Sequence, residues 1–289
     1  MKNNITAARD LRQKQTAIAR MIPKAKRETR AFVKRLRQHV VYRGEAKTAA
    51  FIFGCQRSGT NMLIEALEQS PLTHMYQEDN GAAFIRNRLK SIEVQHQLVQ
   101  RAPCPVILFK PIADSQRATA LLDAHIGSKA IWIFRDVDAT SASAAAKWGQ
   151  MQISLIRQLC DNMLPPTHWL GEHLPDEQRA WACGLYAALP HMTAHEAAAI
   201  KWVLRNAIYF DLGLDRQPER VMLVKYEDLA RAPRIHFPAL FDFLTLPFDA
   251  AYVSNVRASA AHHDAPPMDA RIRAACDEMM ARLERAYRS

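Results

Sequence analysis

Gly54-Cys55-Gln56-Arg57-Ser58-Gly59-Thr60-Asn61 is the stretch of this 289-residue chain richest in groups that do chemistry. It follows an apolar run, Ala49 to Phe53, and opens a segment with helical spacing. In that setting a glycine-bounded loop cradles a phosphate. Glycine at both ends lets the backbone come close to an anion and turn its amides into one concavity. Arg57 adds a fixed positive charge. Ser58 and Thr60 add hydroxyls at the helix N-terminus, where the helix dipole favours negative charge. The Gly-x4-Gly spacing is that of a Walker A loop, but Thr60-Asn61 stands where that motif has Lys followed by Ser or Thr. The lysine that reaches terminal phosphates and the hydroxyl that holds magnesium are thereby missing, which counts against a kinase or NTPase. Taken alone, the pattern also fits a structural turn with no ligand.

Arg135 ends a second apolar run, Ala130 to Phe134, and Ser143 follows eight residues later on an expected helix. Ligands of open α/β sheets bind beyond the carboxyl ends of the strands, so Arg135 stands where a second anionic group would be held. A guanidinium fork beside a hydroxyl suits a phosphate. An ion pair of Arg135 with Asp136 at the strand end is the competing reading.

Together these segments resemble the sulfotransferases that use 3′-phosphoadenosine 5′-phosphosulfate (PAPS). Arg57-Ser58-Gly59-Thr60 matches the basic-Ser-Gly-Thr core of the family's 5′-phosphosulfate loop. Arg135 to Ser143 matches the 3′-phosphate motif, and Tyr226-Glu227-Asp228-Leu229 resembles the Tyr-Glu-Asp-Leu segment after the last sheet strand. The likeness runs over roughly residues 48–250 and is nearest to bacterial members. It implies a P-loop-like α/β fold and PAPS as donor, with 3′-phosphoadenosine 5′-phosphate (PAP) as product and no metal. It implies cofactor contacts from Arg57, Ser58, Gly59, Thr60, Asn61, Arg135, Ser143 and Tyr226, the last near adenine or simply a core tyrosine.

The chain departs from the family in places. Where cytosolic members carry Lys-Thr-His after the third strand, this one has Lys110-Pro111-Ile112, so the histidine base is absent while Lys110 stays. Other branches place a glutamate after the second strand, and Tyr76-Gln77-Glu78-Asp79 offers one. Glu78 is the expected general base, with Asp79 and Asp114 as rivals and the surface carboxylate at a strand end as the plain alternative. The family's tryptophan in the first helix is Met62 here, and only Arg257 stands near its late Arg-Lys-Gly element. The implied reaction is in-line transfer of a sulfuryl group to an acceptor hydroxyl. Glu78 takes the proton, while Arg57 and Lys110 stabilise charge that grows on the bridging oxygen. The acceptor stays open among a carbohydrate, a glycolipid and a small alcohol, with an amine also allowed.

These groups need a scaffold. Ala49–Phe53, Val106–Phe109, Ala130–Phe134 and Val221–Val224 read as buried parallel strands, with His74–Gln77 as a fifth. Helical segments separate them, one of them over Asn61–Gln69. The fold class is therefore α/β, a P-loop-like parallel sheet flanked by helices. Residues 144–215 read as a mostly helical insertion, a place for acceptor contacts, whose four tryptophans belong mainly to the core. The domain reading is a basic helical arm over 1–47 and a sulfotransferase-like domain over 48–289.

Charge supports that division. Residues 1–47 hold fourteen Lys and Arg against three carboxylates, whereas the remainder is almost neutral. The arm's amphipathic pattern suits peripheral contact with an anionic membrane, self-association, or packing on its own body. No nucleic-acid reader motif accompanies the charge. Five scattered cysteines without a CxxC fit a reduced cytoplasmic interior. His191 and His195, four apart, lack a third ligand for zinc. The two competing classes are a P-loop small-molecule kinase or nucleotide-binding protein, and a non-catalytic module that binds membrane or polyanion through the arm.

Overall fold

The computed structural model describes residues 46–257 and 266–288. Residues 1–45 of the basic arm and His262-His263 lie outside the described residues. Five parallel strands form the sheet: β1 (Thr48–Gly54), β2 (Thr73–Tyr76), β5 (Val106–Phe109), β6 (Lys129–Phe134) and β7 (Val221–Lys225), in the order β2-β5-β1-β6-β7. A two-stranded hairpin, β3 (Phe84–Ile85) and β4 (Arg88–Leu89), stands apart from it. The helices are α1 (Thr60–Leu67), α2 (Ile92–Arg101), α3 (Ala118–Ala124), α4 (Val137–Trp148), α5 (Met151–Cys160), α6 (Asp176–Ala188), α7 (Ala194–Asp211), α8 (Tyr226–Arg231), α9 (Pro233–Phe243) and α10 (Ala270–Arg288). All five expected strands and the helix after the loop are present within a few residues of the sequence reading, and 144–215 is largely helical.

Both faces of the sheet are buried, which is why its strands read as unbroken apolar runs. Alternate residues of β1 serve different layers. Ala49, Phe51 and Phe53 join the core beneath α7, while Ala50 and Ile52 join the core beneath α1 and α9. Phe51 stacks on Phe53 and Phe109 with ring centroids 5.7 Å apart in each case. Each such fully buried aromatic contributes roughly 1.5–3 kcal/mol over leaving it in water. β1 is central, with β5 on one side and β6 on the other, so the chain crosses the sheet in both directions from it. The crevice beyond its carboxyl end is the ligand position of such folds.

Two findings differ from the sequence reading. Cys160 and Cys183 form a disulfide, where the scattered spacing predicts reduced thiols throughout. The last turn of α5 and the middle of α6 pack side by side, bringing the two Cα atoms to 5.3 Å, within disulfide reach. Cys55, Cys104 and Cys276 are buried thiols. Of the four tryptophans in the helical region only Trp202 is fully buried; Trp148, Trp169 and Trp181 are half-buried at its margin.

Candidate functional site

The loop after β1 turns on two left-handed residues, Arg57 with φ 73° and Gly59 with φ 89°. An arginine held there carries a backbone cost of about 1 kcal/mol or more. The amide of Ser58 donates to the carbonyl of Cys55 at 3.3 Å, closing the turn. Glycine is required at both ends for close approach as well as for φ. A Cβ on Gly54 would lie 2.4 Å from the carbonyl oxygen of Ile133, and one on Gly59 would lie 2.1 Å from the ring of Tyr226. Ser58 is fully buried, and its Oγ has no hydrogen-bond partner. Such a group costs free energy until an acceptor arrives.

Arg57, Ser143, Arg135, Tyr226 and Gly59 meet in one cluster. Arg57 Nε donates to Ser143 Oγ at 3.0 Å, which fastens the loop to α4. Arg135 leaves the end of β6, nearly buried, with Nη1 3.4 Å from the carbonyl oxygen of Arg57. Its guanidinium lies 4.4 Å from the centre of the Tyr226 ring, and that ring also closes on Gly59. Tyr226 is therefore a buried residue that sets the spacing between the loop and Arg135. Asp136, the ion-pair candidate for Arg135, caps α4 by accepting from the amide of Ala139 at 2.9 Å. Its own amide donates to Glu227 at 3.0 Å, so the residue after Tyr226 ties α8 to the end of β6.

A second cluster continues from α1. Thr60 is buried, Asn61 is exposed, and the Asn61 side-chain oxygen accepts from Lys110 Nζ at 3.0 Å. Lys110 Nζ also lies 3.6 Å from Glu78 Oε2. Burial pushes the Glu78 carboxyl above the usual glutamate range, opposed in part by Lys110 and by a hydrogen bond from the backbone of Ala113. Glu78 is thus half-buried beside a cation. Its rivals are placed differently. Asp79 is exposed, whereas Asp114 is fully buried, accepting from Arg88 Nε at 2.6 Å and from the amide of Leu89 at 2.8 Å. Asp114 is fastened on both oxygens.

Sequence reading misses the network around Asp114. Arg88 joins Asp114 to Glu172 and to the carbonyl of Thr167, and Gln116 reaches Glu172 as well. These residues come from β4, the short 3-10 turn Ile112–Arg117 and the connection between α5 and α6. No local spacing signals such an assembly. His195 is buried with Nε2 2.8 Å from Ser141 Oγ, and among the described residues no group of three or more His, Cys, Asp or Glu is arranged to hold a metal. Arg257 is exposed and bonded to nearby carbonyls. No described helix is long and apolar enough to cross a membrane.

No family model matches the chain, and no curated protein matches it in sequence. Solved structures do match. A sulfotransferase from Alicyclobacillus acidocaldarius superposes with a TM-score of 0.50 at 16% identity, over 84% of this chain and 97% of that one. The sulfotransferase domain of the Synechococcus PCC 7002 olefin synthase gives 0.49 at 16% identity, over 84% and 96%. Mouse sulfotransferase SULT7A1, complexed with PAP, gives 0.45 at 13% identity, over 83% and 86%. The superposition on the Alicyclobacillus enzyme shows a sulfotransferase-like α/β fold, the fold class the sequence implied.

Proposed function

We propose that this chain is a PAPS-dependent sulfotransferase acting on an acceptor hydroxyl. The observation that carries the reading is Ser58: a fully buried hydroxyl without a partner, in a loop whose backbone bends around it and places Arg57 immediately before it. An anionic oxygen would complete it. The donor set fits the cofactor. Arg57, Ser58, Gly59, Thr60 and Asn61 would hold the 5′-phosphosulfate end, Arg135 and Ser143 the 3′-phosphate, and Tyr226 would border the adenine. When bound, PAPS supplies an activated sulfuryl group with a phosphate as leaving partner.

The chain's own residues do the remaining work. Arg57 and the loop amides stabilise charge on the departing phosphate more than in the ground state, which is what accelerates a reaction. Lys110, held by Asn61, presents its ammonium at the mouth of the loop. Glu78 accepts the proton of the acceptor hydroxyl, a contribution of about 10²–10⁴ in rate. The acceptor is a carbohydrate, a glycolipid or a small alcohol, and an amine would meet the same base. We place the protein in the cytoplasm. Peripheral membrane contact or self-association we assign to the basic arm, and nucleic acid is not among the partners.

The test is release of PAP from PAPS in the presence of hydroxyl acceptors. The Glu78→Gln variant is expected to bind PAP as the wild type does while turnover falls by about 10²–10⁴. The base must be ionised to act. Because burial raises the Glu78 carboxyl, activity falls as pH drops through that raised value, at higher pH than a free glutamate would give. Full turnover in Glu78→Gln contradicts the assignment of the base. Turnover of ATP·Mg in place of PAPS contradicts the reading as a whole.

A further inference from the structure

Lys201 and Arg205 lie one turn apart on α7, 3% and 1% exposed. Each is hydrogen-bonded only to neutral groups; the carboxylates of Asp114 and Glu78 lie within electrostatic range of Arg205, and among the described residues none acts on Lys201. Lys201 Nζ donates to Gln152 Oε1 at 2.7 Å and stands 4.9 Å from the centre of the Trp148 ring. Arg205 donates to the carbonyls of Ile112 at 2.7 Å and Trp169 at 2.9 Å and to Gln116 Oε1 at 3.2 Å. Its guanidinium lies 5.3 Å from the centre of the Trp169 ring, and its buried Nε has no acceptor at all. Among the described residues, neither cation is within ion-pair distance of a carboxylate.

Two adjacent buried cations without a contacting anion are costly, since hydrogen bonds to neutral groups only partly replace water. Burial accordingly pushes the Lys201 ammonium down to about 8 and the Arg205 guanidinium to about 10. Their position says what would relieve them. Ile112, which accepts from Arg205, is two residues beyond Lys110, and the Cys55 thiol of the phosphate loop lies within electrostatic range of both cations. Arg205 is thus fastened to the segment that carries Lys110, the partner of the proposed base, and Lys201 lies one turn before it. The Trp148 and Trp169 rings beside the two cations are half-buried at the margin of the helical region.

We propose that the acceptor carries an oxyanion, a carboxylate or a phosphate, besides the hydroxyl that is sulfated, and that Lys201 pairs with it while Arg205 adds its charge. This rests on the sulfotransferase reading above and narrows its acceptor to hydroxy acids. Lys201 retains two ammonium protons beyond the one given to Gln152, enough to meet such a group.

The test uses the full-length protein saturated with PAP, so that the phosphate loop is filled, and reads thermal unfolding with matched probes. 4-Hydroxyphenylacetate is set against tyrosol, glucuronate against glucose, and glycerol 3-phosphate against glycerol. At least one acid should raise Tm by several degrees where its uncharged counterpart does not. The pair that responds tells carboxylate from phosphate. The shift should vanish in Lys201→Gln and persist in Lys201→Arg, with the PAP shift unchanged in both. Equal behaviour of acids and neutral counterparts on the wild type overturns the proposal, as does an undiminished acid shift in Lys201→Gln. Absence of any PAP shift on the wild type overturns the sulfotransferase reading instead, so the two failures are told apart.

Discussion

On the side we assign to the nucleotide, the proposed anion-binding groups come from two short stretches, Gly54–Asn61 and Arg135–Ser143, each hung directly on the end of a central strand. On the side we assign to the acceptor, the charged groups Glu78, Lys110, Asp114, Glu172 and Lys201 come from separate segments. The first half is made largely of backbone. Its amides, its left-handed residues and the close approach of its glycines to Ile133 and Tyr226 follow from chain geometry at the strand ends. The second half is made of long side chains that meet only after the helical region has packed. A backbone cradle constrains few side chains, whereas a side-chain assembly is free to change with the acceptor.

That contrast explains what is legible in the sequence. The strands are readable because burial on both faces leaves continuous apolar runs such as Val106–Phe109 and Ala130–Phe134. The loop is readable because its glycines and hydroxyls are consecutive. Lys201 and Arg205 are not, because two charges one turn apart on a helix read as a solvated face; here that face is turned into the molecule against Gln152 and the Ile112 carbonyl. The Cys160–Cys183 bond is hidden for a related reason. Residues 23 apart, on two helices, become neighbours only through the packing of α5 on α6. Arg88, Asp114 and Glu172 belong to the same class, joined across 84 residues by one guanidinium.

If the two halves are as distinct as their construction, damage to one should leave the other intact. The largest effect is expected at Gly59. Alanine there must adopt a left-handed conformation and push a Cβ into the Tyr226 ring, at a cost of about 3 kcal/mol or more in stability. Tyr226 would move, and Arg135 with it. Denaturant unfolding should show the destabilisation, and calorimetry should show PAP binding abolished. Normal PAP binding in Gly59→Ala would mean that the loop does not meet the cofactor.

A smaller effect is expected from the disulfide. Replacing Cys160 and Cys183 by serine reopens a 23-residue loop, for which chain entropy gives a destabilisation of up to about 3.4 kcal/mol. The segment so released carries Thr167, Trp169 and Glu172, which reach Arg88 and Arg205 on the acceptor side. Unfolding at lower denaturant with unchanged PAP affinity is the expected result. A parallel fall in PAP affinity would show that the helical region also shapes the nucleotide side, and the contrast between the halves would fail.

The central claim is that the loop and Arg135 together read a nucleotide with a 3′-phosphate. Titration calorimetry with PAP and with ADP tests it most directly, because the two ligands carry the same number of phosphates in different places. A charge-assisted hydrogen bond from Arg135 to the 3′-phosphate is worth about 1.5–3 kcal/mol. PAP should therefore bind roughly ten- to a hundredfold tighter than ADP. Arg135→Ala should remove that preference and leave the weaker ADP affinity nearly as it was. Equal binding of PAP and ADP by the wild type, or tighter binding of ATP·Mg than of either, would contradict the account.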